Sequence, residues 1–166
     1  MRLSGITRES IVDGPGIRIV LFAQGCPHCC ENCHNPDSWP LDGGKEYPIN
    51  KVLRLIKRPG PNQKPLQGVT FSGGEPFLQA AEFALAAFEA HRIGWDVCTY
   101  TGYTYEMLAD NKDSDVQALL NLSDMLIDGP YIQARRDIAL KFRGSDNQRL
   151  IDLNKTRQKG RVMFFY

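Results

Sequence analysis

Ile17-Arg18-Ile19-Val20-Leu21-Phe22-Ala23-Gln24-Gly25-Cys26-Pro27-His28-Cys29-Cys30-Glu31-Asn32-Cys33-His34-Asn35 runs from an apolar segment straight into four cysteines. The apolar part, Ile17 to Phe22, is continuous rather than alternating, which is how a strand covered on both faces reads. Such strands belong to α/β sheets, whose reactive groups sit in the loops after the strand C-termini. The cysteines occupy a loop of that kind.

Working outward, Ile6 to Val12 leads into the turn cluster Asp13-Gly14-Pro15-Gly16. Downstream, Ile49, Val52, Leu53 and Ile56 recur at helical spacing until Pro59-Gly60-Pro61 stops the helix. A second strand, Gly68 to Phe71, opens into Ser72-Gly73-Gly74-Glu75-Pro76. Leu78, Ala81, Leu85 and Phe88 then mark one face of a helix that Gly94 ends, before a third strand at Trp95 to Tyr100. After Thr101-Gly102 come helical patterns at Tyr105 to Ala109 and Val116 to Leu122, then a fourth strand at Met125 to Ile127 ending in Asp128-Gly129-Pro130. From Tyr131 onward no periodicity stands out. Alternating strands and helices predict an α/β domain with a mostly parallel sheet. A chain of 166 residues is one domain, residues 1–166. It is short of the roughly 250 residues of a closed eight-stranded barrel, so an open, partial (β/α) barrel is expected.

Composition narrows the function classes. Hydrophobic residues at 42% and charged residues at 23% support a packed core and exclude a disordered chain. Twenty Lys+Arg against 19 Asp+Glu leave a net charge of +1, too little to draw the chain to nucleic acid or an anionic membrane. The longest strongly apolar stretch, Ile19 to Ala23, is far below the roughly 20 residues of a membrane span. The N-terminus, MRLSGITRES, has no apolar signal core, so a cytoplasmic protein is expected. In a reducing compartment clustered thiols are metal ligands or catalysts rather than disulfides.

Three ligands from one loop leave one metal position open for a substrate. Spacing alone does not choose them: Cys26, Cys30 and Cys33 give C-x3-C-x2-C, while Cys26, Cys29 and Cys33 give its mirror. Soft thiolates suit an iron-sulfur cluster or zinc. Zinc completed by His28 or His34 is one rival, although closed zinc sites often bring two separated pairs and no second pair exists here. A dithiol redox site at Cys26-Pro27-His28-Cys29 is another, but it needs a helix at its first cysteine, and the residues that follow lack a helical apolar stripe. Cys98 stands alone on a predicted strand and is assigned to the core.

The stretch from Cys26 to Cys33 resembles the cluster loop of the radical S-adenosylmethionine superfamily, whose C-x3-C-x2-C pattern selects Cys26, Cys30 and Cys33 and leaves Cys29 as an extra thiol. The resemblance implies the radical S-adenosylmethionine type of fold and a 4Fe-4S cluster whose open iron holds the amino and carboxylate groups of S-adenosylmethionine. Asn32 stands where many members carry an aromatic, which leaves backbone contacts from Asn32, Cys33 and His34 to that cofactor. Gly73-Gly74-Glu75-Pro76 is similar to the superfamily element that binds the methionyl amino group; read without the resemblance, Gly-Gly is a turn and Glu75 caps the next helix. Thr101 and Asp128, at strand ends, are further candidates for the cofactor or a cation, and otherwise read as caps or turn formers.

Asp13-Gly14-Pro15-Gly16-Ile17-Arg18 resembles the opening of the glycyl-radical activating enzymes. Ser123 to Tyr131, Arg135-Arg136-Asp137 and Arg143-Gly144-Ser145-Asp146-Asn147-Gln148-Arg149 resemble the C-terminal half of the activating proteins of anaerobic ribonucleoside-triphosphate reductase. Without that resemblance the last segment reads by default as a solvated turn, its arginines otherwise able to meet a phosphate or a partner carboxylate. It implies a radical enzyme that reductively cleaves S-adenosylmethionine and places a glycyl radical on the reductase. Its partners would be that reductase's glycyl-radical subunit and an electron donor such as reduced flavodoxin or ferredoxin. An activase for pyruvate formate-lyase and a non-catalytic zinc module are the alternatives.

Overall fold

The computed structural model describes residues 1–57 and 66–165. Strands β1 (Arg2–Ser10), β2 (Arg18–Ala23), β3 (Lys45–Glu46), β4 (Gly68–Gly73), β5 (Asp96–Tyr100), β6 (Met125–Asp128) and β7 (Arg149–Asp152) form one open sheet in the order β3-β1-β2-β4-β5-β6-β7. β2, β4, β5 and β6 are parallel, in register from Arg18↔Gly68 to Ala23↔Gly73 across the first pair. The α/β expectation holds, with a mixed sheet: β1, β3 and β7 pair antiparallel. Only seven residues separate β1 from β2, enough for a hairpin return but too few for a parallel crossover. The sequence reading missed β7 altogether.

Alternation along the strands divides the two faces. Ile19, Leu21, Val69, Phe71, Val97 and Leu126 join a core with helices α1 (Ile49–Lys57), α2 (Ala80–Arg92) and α4 (Ser114–Leu122). The short α3 (Tyr105–Ala109) precedes α4, and α5 (Leu153–Lys159) follows β7. Cys98, Met125, Ile127 and Leu150 form a second cluster, against which Tyr100, Phe142 and Phe165 pack. Cys98 is core, as expected, and burial pushes its thiol up to about 12. The predicted helix stop at Pro59-Gly60-Pro61 lies outside the described residues.

Helix α2 is turned from the expected orientation. Leu78, Leu85 and Phe88 are 44%, 51% and 55% exposed, while Ala80, Phe83, Ala84, Ala87 and Ala90 face the core. Both faces are apolar, so periodicity does not distinguish them, and the small alanines let the helix lie close to the sheet. Phe83 then packs edge-on against Phe71, ring centroids 4.9 Å apart. No helix among the described residues is long and apolar enough to cross a membrane.

The Asp13–Arg18 turn is structural. Arg18 is fully buried and donates to Thr70 Oγ1 (2.7 Å), to the carbonyls of Pro15 and Val69, and to Asp96 Oδ1 (2.5 Å). Thr70 in turn donates to the Asp13 carbonyl (2.7 Å), so the turn is tied to β4. The C-terminal ends of β2, β4, β5 and β6 share one edge, and their loops build the site.

Candidate metal centre

The cysteine loop leaves β2 through a closed base, with the Gly25 and Cys26 amides donating to the Ser38 and Trp39 carbonyls (2.8 and 3.1 Å). Left-handed backbone at Cys29 (φ +45°) and Asn32 (φ +53°) folds the loop into turns. Cys26, Cys30 and Cys33 are half-buried and line a cavity of about 700 Å³; Cys29 is exposed and outside its lining. Burial pushes the Cys26 thiol up to about 11, against hydrogen bonds from the His28 and Cys29 amides. Burial also raises the Cys30 thiol, opposed by a hydrogen bond from the Tyr131 amide. These thiols stay protonated until a cation compensates their charge.

Among the described residues no three His, Cys, Asp or Glu side chains gather tightly enough to hold a single metal ion. Three soft donors round one cavity wall, with the Asn35 amide donating to Cys33 Sγ (3.4 Å), suit a cluster of several irons, whose sulfurs accept such hydrogen bonds.

The second loop is latched to the first. The Gly74 amide donates to Ala23 O and the Glu75 amide to Gly25 O, both at 2.8 Å. A Cβ on Gly74 would lie 2.3 Å from Gly25 O, and Gly73 has φ +89°, so both glycines are needed for the loops to approach. Glu75 is fully buried. Its carboxylate accepts from the Phe77 amide (3.0 Å), Thr101 Oγ1 (3.0 Å) and the Gly102 amide (2.9 Å), and lies 2.9 Å from His28 Nε2. His28 stacks edge-on against Tyr103, centroids 4.6 Å apart. One carboxylate thus joins the loops after β2, β4 and β5.

The structure brings Cys26, Cys30, Cys33, His34, Gly73, Gly74 and Thr101 to the cavity. It does not bring Asn32, Glu75, Pro76 or Asp128 to that lining. Pro76 is buried beside Phe77, and Asp128 receives the Tyr105 amide (2.7 Å) at the start of α3. Asp128 also accepts from Arg149, whose guanidinium bridges to Glu106 (2.7 Å) and holds that carboxyl below its usual range.

The Arg143–Arg149 segment is no solvated turn. Gln148 Oε1 accepts from the Gly144 and Ser145 amides (2.9 and 3.2 Å), its Nε2 donates to Gly129 O (3.2 Å), and Asn147 donates to Pro130 O (2.7 Å). Ser145 is fully buried. The segment braces Gly129–Tyr131 and, with the preceding Phe142, supplies Arg143 and Gln148 to the cavity. From sequence, Phe142 and Gln148, and His28 as a latch, are not candidates, and Arg143 enters only as one of the motif's arginines that could meet a phosphate or a partner carboxylate; the motif's partners lie far away along the chain.

Residues 12–151 match the model of the 4Fe-4S single cluster domain. The chain belongs to that family. It is 34% identical over 142 residues to the anaerobic ribonucleoside-triphosphate reductase-activating protein of Vibrio cholerae, covering 83% of this chain and 89% of that one. The protein of that name from Enterobacteria phage T4 is 33% identical over 149 residues, 84% and 86% of the two chains. The pyruvate formate-lyase-activating enzyme of Clostridium pasteurianum is 48% identical over 79 residues, 47% of this chain and 33% of that one. As a member of the 4Fe-4S single cluster family, the chain is an iron-sulfur protein with its thiols at the C-terminal sheet edge.

Proposed function

We propose that this chain is a glycyl-radical activase whose 4Fe-4S cluster is held by Cys26, Cys30 and Cys33, with S-adenosylmethionine in the adjoining cavity. The observation that carries this reading is the selection of thiols: the three cysteines of C-x3-C-x2-C line the cavity and Cys29 does not. When bound and reduced, the cluster supplies one electron to the cofactor's sulfonium, releasing methionine and a 5′-deoxyadenosyl radical that takes a hydrogen atom from a glycine. The chain's own residues orient and enclose. Gly73 and Gly74 offer the methionyl amine close-approaching backbone, while Cys33, His34 and Thr101 line the cofactor's side and Asn32 adds backbone contact. Glu75, Pro76 and Asp128 act from beneath, as positioning residues. The open sheet is read as the partial barrel of the radical S-adenosylmethionine type, with residues 1–166 one cytoplasmic domain.

The target is the glycyl-radical subunit of anaerobic ribonucleoside-triphosphate reductase, as the names of the relatives suggest. A reduced flavodoxin or ferredoxin is the proposed donor. The identity to the Clostridium activase favours pyruvate formate-lyase as a second reading. The test is anaerobic reconstitution, then incubation with S-adenosylmethionine, reductant and each candidate partner. Reductive cleavage and a glycyl-radical paramagnetic doublet on the reductase are expected. A doublet on pyruvate formate-lyase alone moves the assignment to the second reading, and a protein that takes up zinc but no iron-sulfur cluster ends both.

A further inference from the structure

Helix α2 turns an apolar seam outward. Ala81, Leu85 and Phe88 are exposed, as is Leu78 just before the helix, and the steps between them are three, four and three residues, the spacing of one helix face. Arg92, four residues further on, continues the seam and is exposed as well. α2 lies between α1 and α4, and no element among the described residues covers its outer side. Exposed apolar residues scattered singly are ordinary, but a row of them on one helix marks a contact surface. At one end of the seam Leu78 walls a hollow of about 360 Å³, together with Phe77, Met107, Val116 and Asp113.

The seam is complementary to itself. With two copies of α2 packed antiparallel about a two-fold axis level with Phe83, Leu78 of one copy lies opposite Phe88 of the other, and Ala81 lies opposite Leu85. Leu85 then meets a small residue, and Phe88 meets a hollow, so large side chains are received rather than opposed. The charges agree with this direction. Arg92 is carried to the Leu78 end of the second copy, where Asp113 edges the hollow. Its neighbour Glu89 is 3.4 Å away and is also held by Lys57 (3.2 Å), so the guanidinium keeps donors to spare. A parallel pairing would instead set Arg92 against Arg92.

We propose that this chain forms a two-fold dimer through the outer face of α2, with Phe88 of each copy seated in the hollow beside Leu78 of the other. None of the seam residues lines the cysteine-loop cavity, so pairing leaves both cavities open. The test is sedimentation equilibrium of the cluster-loaded protein under anaerobic conditions, comparing the wild type with Leu85→Glu, Phe88→Glu and Arg92→Glu. The wild type should sediment at twice the mass of the chain at micromolar concentration. Leu85→Glu and Phe88→Glu each place an unpaired charge in the contact and should raise the dimer dissociation constant about a hundredfold or more. Arg92→Glu should raise it about three- to tenfold, through two symmetry-related rim pairs, and high salt should erase that difference.

Circular dichroism and iron content should match the wild type in all three variants, because these side chains are exposed in the single chain. A wild type that stays at the mass of one chain at the highest attainable concentration would overturn the proposal. So would a dimer that survives both Leu85→Glu and Phe88→Glu. Variants that remain dimeric but no longer bind the reductase would give this face to that partner instead.

Discussion

Replacing Glu75 by Gln keeps the side-chain volume and asks whether the buried carboxylate is a latch. In the wild type Oε1 accepts from the Phe77 amide and Oε2 from the Gly102 amide, with His28 Nε2 2.9 Å from Oε2 and the Thr101 hydroxyl 3.0 Å from each. Both oxygens therefore face a backbone N–H. A glutamine has one carbonyl oxygen, so in either orientation its NH2 meets a backbone donor that can no longer be satisfied. An orphaned buried donor costs about 1–3 kcal/mol, and losing the charge weakens the remaining bonds, for a total of roughly 2–4 kcal/mol. For a chain of this size that lowers the Tm of the metal-free protein by roughly 5–15 °C. His28→Ala alone removes one charge-assisted bond, about 1–2 kcal/mol, and when combined with Glu75→Gln it should cost clearly less. Iron retention after reconstitution should fall in parallel, because the cysteine loop loses its tie. A Glu75→Gln protein that melts with the wild type, is additive with His28→Ala and yet binds the cofactor poorly would show that the carboxylate reads the ligand.

Cys29→Ala should retain the cluster's visible absorbance and iron content, whereas Cys30→Ala should lose most of both, since only Cys30 of the adjacent pair lines the cavity. Gly74→Val should lower cluster yield as well as cofactor affinity, because its Cβ would press on Gly25 O at the base of the cysteine loop; iron analysis after anaerobic reconstitution decides it. Half burial pushes the Asp124 carboxyl up, but hydrogen bonds from His91 (2.9 Å), Asn154 (2.9 Å) and the Val97 amide (2.8 Å) outweigh it, and the net shift is down. A lowered folded-state value means stability that is present above the unfolded value of about 3.9 and drains as pH falls through the folded one. Thermal melts of Asp124→Asn against the wild type should therefore differ by about 1–2 kcal/mol near neutrality and converge below about pH 4.

What could be read from the sequence is what repeats or punctuates. Strands β2, β4, β5 and β6 are apolar runs closed by Gly, Thr or Asp, and the cysteines fall after the first of them. Helix α2 announced itself as a helix but not its buried face, because alanines flank both sides. Arg18 sits inside an apolar strand with nothing local to satisfy it; its partners, Thr70 and Asp96, lie 52 and 78 residues further on. The Arg143–Arg149 loop is held by side-chain to backbone bonds and has no period to detect. The same distance along the chain hid the link between the two halves of the site. His28 and Glu75 are 47 residues apart and look like members of separate motifs, one for the cluster and one for the cofactor. In the fold they are one contact, and the Gly74 and Glu75 amides add two more between the same loops. The loops cannot move independently, so changes in Gly73–Pro76 should register at the thiols, and loss of the cluster should loosen the wall proposed to receive the cofactor.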